Sequence, residues 1–259
     1  MDLGINGRKA IVCASSQGLG LACATSLARE GCVIVINGRD ETRLAQAVAQ
    51  IEAATHVRAT PVIADINTAA GRETLIAACP EPDILVNNNA GPPPGELADW
   101  DHAAWLSALE ANMLAPILLI RALLPGMRLR RFGRIVNITS AMVKSPRAHM
   151  GLSTAARTGL TALCKALVPE VAKDNVTINN LLPERIDTGR QRFMAERMMR
   201  MEDITFEEAR ARITDSIAAK RFGKPEEFGD ACAFLCSEQA GFISGQNLQL
   251  DGGSYRGLI

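Results

Sequence analysis

Tyrosine is almost missing from this chain. Among 259 residues it occurs once, at Tyr255, and all aromatics together make up 4%. Any chemistry that needs a phenol must therefore draw on a residue at the far end. Neither sign of charge is in excess: 28 Lys and Arg stand against 28 Asp and Glu. That balance excludes recognition of nucleic acid or a membrane surface by bulk charge. The seven cysteines, at 13, 23, 32, 79, 164, 232 and 236, form no Cys-x-x-Cys pair. Cys232 and Cys236 have the spacing of neighbours in a helical core rather than of ligands, so no metal site is expected. Scattered, odd-numbered thiols without a signal-peptide pattern point to reduced cysteines and a cytoplasmic protein. No apolar run approaches the roughly 18 residues of a membrane span. Repeats, low-complexity tracts and interdomain linkers are also absent.

What is present is alternation. Lys9–Ala14 reads as a buried strand, followed by a helix from about Gly18 to Glu30 and a second strand over Val33–Ile36. A helix over roughly Glu41–Ala54 carries Leu44, Val48 and Ile51 on one face. Further strands are expected at 57–66, 84–86, 134–138, 176–182 and 247–250. Strands that are apolar throughout are buried on both faces, as parallel strands are. Their alternation with helices predicts right-handed βαβ units in a doubly wound, Rossmann-type α/β fold with a seven-stranded parallel sheet. One domain over 1–259 is expected. The basic run Arg128, Arg130, Arg131 and Arg134 reads as a solvated helix end and loop.

After the first strand comes Ala14-Ser15-Ser16-Gln17-Gly18-Leu19-Gly20. Two glycines there let the backbone bend and approach a pyrophosphate, whose charge rests on the N-terminus of the next helix. The second strand closes on Asn37-Gly38-Arg39-Asp40. Gly38 supplies no carboxylate for a ribose 2′-hydroxyl, whereas Arg39 suits a 2′-phosphate, so NADP(H) is favoured over NAD(H). Asp40 is better placed as the N-cap of the following helix.

Taken together, the chain resembles the short-chain dehydrogenase/reductase family, in particular its 3-oxoacyl-(acyl-carrier-protein) reductase-like branch. The family's Thr-Gly-x-x-x-Gly-x-Gly is similar to the stretch from Cys13 to Gly20, and its Asn-Asn-Ala-Gly to Asn88-Asn89-Ala90-Gly91, or to a register beginning at Asn87. The resemblance implies that Asp65 and Ile66 flank the adenine. It also implies that Asn112 and Ser140 are catalytic, and that Pro183 to Thr188 lie over the nicotinamide. Ser15, Ser16, Gln17, Leu19, Asn88, Asn89, Ala90 and Arg157 complete the implied cofactor contacts. Ser244-Gly245-Gln246 and Asp251-Gly252-Gly253 extend the likeness to the end.

Three positions depart from the pattern. Ala14 stands for the first turn glycine and is expected to keep a negative φ. Glu184 stands for the glycine beside the nicotinamide. Where the family carries Tyr-x-x-x-Lys, this chain has Ser153 and Arg157. A phenol of pKa about 10 is a workable proton donor beside a cation, whereas a serine hydroxyl is far less acidic and a guanidinium proton is effectively fixed. Losing a positioned acid costs about 10² to 10⁴ in rate. His149, one helical turn before Ser153, is either a substitute acid or an idle loop residue. Lys144 is either near the pocket or solvated.

The Met- and Arg-rich segment 191–219 resembles the family's substrate lid, placed at about 190–219, or is an amphipathic helix pair packed on the core. Three functions stay open: an NADP(H)-dependent oxidoreductase of a small carbonyl or alcohol with an atypical proton donor, a catalytically silent NADP(H)-binding relative, and a lyase or epimerase using Glu184 or His149 as base. By resemblance, helices near 101–127 and 152–173 pair with other copies, giving a homotetramer or a dimer.

Overall fold

The computed structural model describes residues 2–258; the outermost residue at each end of the expected 1–259 unit lies outside them. The strands are β1 (Lys9–Val12), β2 (Val33–Gly38), β3 (Thr60–Ile63), β4 (Ile84–Asn87), β5 (Gly133–Ile138), β6 (Val176–Pro183) and β7 (Asn247–Leu250). All pair in parallel, in the order β3-β2-β1-β4-β5-β6-β7. The chain runs outward from β1 to β3, then crosses back to β4 and continues the other way. The reversal lies between β1 and β4, and ligand crevices form above the carboxyl ends of strands at such a point.

The helices are α1 (Gly18–Arg29), α2 (Glu41–Thr55), α3 (Ala69–Ala78), α4 (His102–Leu109), α5 (Ala115–Leu129), α6 (Gly151–Val171), α7 (Gly189–Glu202), α8 (Phe206–Asp215) and α9 (Pro225–Cys236). Leu27, Leu44 and Phe228 pack with Ile36 and Val86 on one face of the sheet. Leu119, Leu123 and Leu160 pack with Leu85 and Ile135 on the other. Central strands β4 and β5 are buried along their whole length, as the absence of alternation in their sequences requires.

Several expectations change. β3 is four residues long rather than spanning 57–66; it is an edge strand carrying Pro61, which cannot donate to a ladder. The run His102–Leu129 is long and apolar enough to qualify as a span by length and composition, with mean hydropathy 1.6 in its most apolar stretch. Its apolar face, including Leu119, Leu123 and Met127, is covered by the sheet. Arg134 is not solvated: it is 1% exposed, and its guanidinium donates to the carbonyls of Ser237, Gly133 and Asn175. Its neighbours Arg128 and Arg131 instead pair with Asp174. All seven cysteines are buried and free.

A row of asparagines crosses the sheet beneath the crevice. Asn87, Asn137, Asn180 and Asn247 occupy matched register positions on β4, β5, β6 and β7. Each side-chain Nδ2 donates to the next Oδ1: Asn87 to Asn137 at 2.9 Å, Asn137 to Asn180 at 3.0 Å, and Asn180 to Asn247 at 2.8 Å. Buried amides stay in an apolar sheet only when such partners exist.

Candidate functional site

The turn after β1 is held from below. Ser15 Oγ donates to the Val12 carbonyl at 2.6 Å and accepts from the Asn37 amide at 3.0 Å, so Ser15 faces inward. Asn88 Nδ2 donates to the Ala14 carbonyl at 3.0 Å and ties β4 to the turn. Ala14 does not keep a negative φ: its φ is +43°, in the left-handed region. The position demands that conformation, and alanine adopts it at a steric cost. Gly18 follows with φ +60°. At Gly20 an added Cβ would lie 2.6 Å from the Ala14 carbonyl oxygen, so this glycine serves the approach of α1 to the turn. Ser15 and Gly20 therefore shape the loop without lining the cleft, whereas Ser16, Gln17, Gly18 and Leu19 line it.

The N-terminus of α1 suits an anion. Gln17 at the N-cap makes no side-chain capping bond, and no acidic residue occupies the first turn. Amides at such an end are left for a ligand, and the helix dipole favours a negative charge there. Beyond β2, Arg39 pairs with Asp65 at 3.7 Å, with side chains 71% and 38% exposed. Asp40 caps α2 by accepting from the Arg43 amide, as expected. Arg43, one turn into α2, brings a second guanidinium to this end of the cleft. The sequence reading missed it; its place three residues past the cap is the signal that would have found it.

The same cleft, about 790 Å³ in volume, continues over the ends of β4, β5 and β6. Asn88, Asn89, Ala90, Ile66, Pro183 and Thr188 line it, whereas Asn87 is drawn into the asparagine row. Asn89 donates to Asn67 and to the Ala111 carbonyl. Asn112 sits in a π-type turn, Glu110–Leu114, between α4 and α5, buried and donating to the Ala90 carbonyl. Ser140 lines the cleft, and its Oγ accepts from the Met142 amide at 3.2 Å, leaving its own proton to donate.

Arg157 lines the cleft and Ser153 does not. Ser153 is 1% exposed, and its Oγ accepts from Arg157 Nη1 at 2.5 Å. The Arg157 guanidinium lies against Gly91, where an added Cβ would meet Nη1 at 3.1 Å. Its Nε is buried without a partner among the described residues. Burial, then repulsion by Arg190, pulls the Arg157 pKa down to about 10, which leaves it cationic at neutral pH. His149 lines the cleft from the 3-10 turn that precedes α6, and its carbonyl accepts from the Gly95 amide at 3.0 Å. Lys144 lies over the Tyr255 ring at 5.3 Å instead of lining the cleft. Glu184 is taken by Arg147 at 3.2 Å.

Above the cleft, α7 and α8 share a small apolar cluster of their own, Ala195, Ala209 and Ile213 with Met198 and Met199 packed on it. Phe193 and Met194 face the cleft. The segment is thus a helix pair whose first helix contributes side chains to the cleft.

Similarity to known proteins agrees with this geometry. Residues 13–255 match the family described as Enoyl-(Acyl carrier protein) reductase. The chain belongs to the short-chain dehydrogenase/reductase family. Dehydrogenase/reductase SDR family member 4 of Bos taurus is 34% identical over 257 residues, covering 96% of this chain and 88% of that one. The NADPH-dependent reductase BacG of Bacillus subtilis is 31% identical, over 97% of this chain and 99% of its own. L-sorbose reductase of Gluconobacter frateurii, solved with NADPH and L-sorbose, superposes with a TM-score of 0.93 at 30% identity, covering both chains fully. The short-chain dehydrogenase/reductase fold thus accounts for the seven-stranded sheet and for a crevice at the β1/β4 reversal.

Proposed function

We propose that the protein is an NADP(H)-dependent oxidoreductase of a small carbonyl or alcohol, working with an atypical proton donor. One observation carries this reading: the glycine turn, Arg39, Ser140, His149 and Arg157 all line a single continuous cleft. The residues fit the dinucleotide. Arg39 and Arg43 suit the 2′-phosphate, the α1 N-terminus the pyrophosphate, and Arg157 the ribose beside the nicotinamide. NADPH, when bound, supplies the hydride.

The chain's own residues then have to polarise an oxygen and deliver a proton. Where family members carry Tyr-x-x-x-Lys, we assign Ser153 and Arg157. Ser140 donates its hydroxyl proton in a hydrogen bond to the substrate oxygen, and the Arg157 guanidinium stabilises the charge that develops there. Ser153 orients Arg157 from below. His149, the imidazole of the cleft, delivers the proton. Asn112 holds the Ala90 carbonyl and with it the loop after β4. The chain acts as one domain with a lid at about 190–219.

The test is NADPH oxidation across a panel of small ketones. Slow turnover is expected, lost in Ser140→Ala and in His149→Phe while NADPH binding persists. The burial of Ser153 favours a second reading, a silent NADP(H)-binding relative. That reading predicts tight NADPH binding, no oxidation, and activity only in the double variant Ser153→Tyr, Arg157→Lys. We further propose a cytoplasmic homotetramer, with a dimer as the alternative, built through the long helices. Leu106 on α4, Leu114 beside α5 and Leu163 on α6 are exposed, which supports pairing there. Light scattering after gel filtration measures the assembly.

A further inference from the structure

The charged groups of the cleft do not cancel. Three carboxylates line it, and each has an arginine of its own: Asp40 with Arg43, Asp65 with Arg39, and Glu184 with Arg147. Three arginines remain. Arg157, Arg185 and Arg190 also line the cleft, and among the described residues none of them forms an ion pair. The nearby Asp187 does not serve them, because Arg210 takes both of its oxygens at 3.1 and 2.9 Å.

Arg157 is accounted for by the proposed ribose contact. Arg185 and Arg190 are not. Arg185 reaches the cleft from the segment between β6 and α7 and Arg190 from α7 itself, on the far side of the cleft from Arg39. Arg185 has a left-handed φ of +60°, and its Nη1 makes only a long bond of 3.5 Å to Gln191. Arg190, in the first turn of α7, donates to the Pro92 carbonyl at 3.1 Å and lies 5.5 Å from the Phe193 ring centre. Thr188 leaves the start of α7 without a side-chain cap, and no acidic residue follows in its first turn. Burial lowers the pKa of both arginines. For Arg185 the charge of Glu184 offsets part of that effect, although Glu184 is itself paired with Arg147, whereas for Arg190 the charge of Arg197 adds to it. A partly buried cation outside any ion pair is held at a cost that an anionic ligand removes.

We infer that the substrate carries an anionic group, a carboxylate or a phosphate, which Arg190 and Arg185 bind at the lid end of the cleft. The inference rests on the oxidoreductase reading for the word substrate, but the anion site itself can be measured without turnover. The planar guanidinium matches a carboxylate or phosphate through two parallel hydrogen bonds, so geometry as well as charge selects the ligand. A neutral ketone of the same size would leave the arginines unpaired.

The experiment is binding by ligand-observed NMR, with and without NADPH, using two matched pairs of probes. The first pair is 3-oxobutanoate and 2,4-pentanedione; the second is dihydroxyacetone phosphate and dihydroxyacetone. At least about tenfold tighter binding of the charged member is expected in one pair, and the pair that shows it distinguishes carboxylate from phosphate. Arg190→Gln and Arg185→Gln are each expected to reduce that preference about tenfold, with NADPH affinity unchanged. Equal binding of charged and neutral probes in both pairs would overturn the inference. So would a fall in NADPH affinity in Arg190→Gln with the anion preference retained, since Arg190 would then read the cofactor. If NADPH fails to bind at all while the anion preference stands, the cofactor reading falls and the anion site survives.

Discussion

The two ends of the cleft hold their arginines differently. At the β2 end, Arg39 and Arg43 pair with Asp65 and Asp40, and all four side chains are in contact with water. Such pairs are worth about 0–1 kcal/mol in water, so a phosphate can replace the carboxylate at little cost. At the β6 end, Arg157, Arg185 and Arg190 are less exposed and, among the described residues, form no ion pair, Glu184 being held by Arg147. One end neutralises its arginines within the protein, and the other leaves three outside any ion pair among the described residues. The lesson is that the two ends of one cleft draw on separate sets of charges.

The comparison can be broken or sharpened by substitution. The largest effect is expected beneath the reactive end, in Asn137→Leu. It strands the Asn87 amide and the Asn180 carbonyl oxygen inside the sheet, and should lower unfolding stability by about 3 kcal/mol. Urea denaturation measures it; a loss below about 1 kcal/mol would mean the asparagine row does not support that end. Next, Arg39→Ala should weaken NADPH binding about tenfold and leave NADH unchanged, because only the 2′-phosphate contact is lost. Fluorescence titration with both dinucleotides decides this. If both weaken alike, Arg39 acts structurally and the contrast between the ends is lost.

A smaller effect is expected from Ala14→Gly, which relieves the left-handed backbone at φ +43°. It should stabilise the protein by about 1 kcal/mol, read as a higher thermal midpoint. The smallest difference concerns pH. Cys13, beside the nucleotide turn, and Cys164, which accepts from Asn137, are both pushed up to about 12 by burial. Unfolded thiols ionise near their usual value of 9.0, so the unfolded chain binds fewer protons between 9 and 12. Stability should therefore be unaffected by these thiols below pH 9 and fall above it. Disulfide-exchange reagents at pH 8 should label the folded protein slowly at all seven cysteines and the denatured protein rapidly.

Much of the frame could be read from residues alone. Apolar runs marked the strands, Asp40 marked the start of α2, and Gly18 marked the turn, because each rests on short-range chemistry. Other features escaped for a common reason. The left-handed Ala14 is imposed by a turn clamped to Asn37 and Asn88, and the burial of Arg134 by carbonyls at Ser237 and Asn175. The shortness of β3 follows from its place at the edge of the sheet. The inward turn of Ser15 depends on the Asn37 amide, which arrives with β2.

By itself the sequence determined the alternation of strands and helices, the glycine turn, and an arginine just beyond β2. Only the tertiary structure decided which arginines are spoken for. Ion pairs such as Arg147 with Glu184, or Arg39 with Asp65, join residues far apart along the chain. Coulomb energy depends on separation in space and on exposure to water, and folding is what sets both.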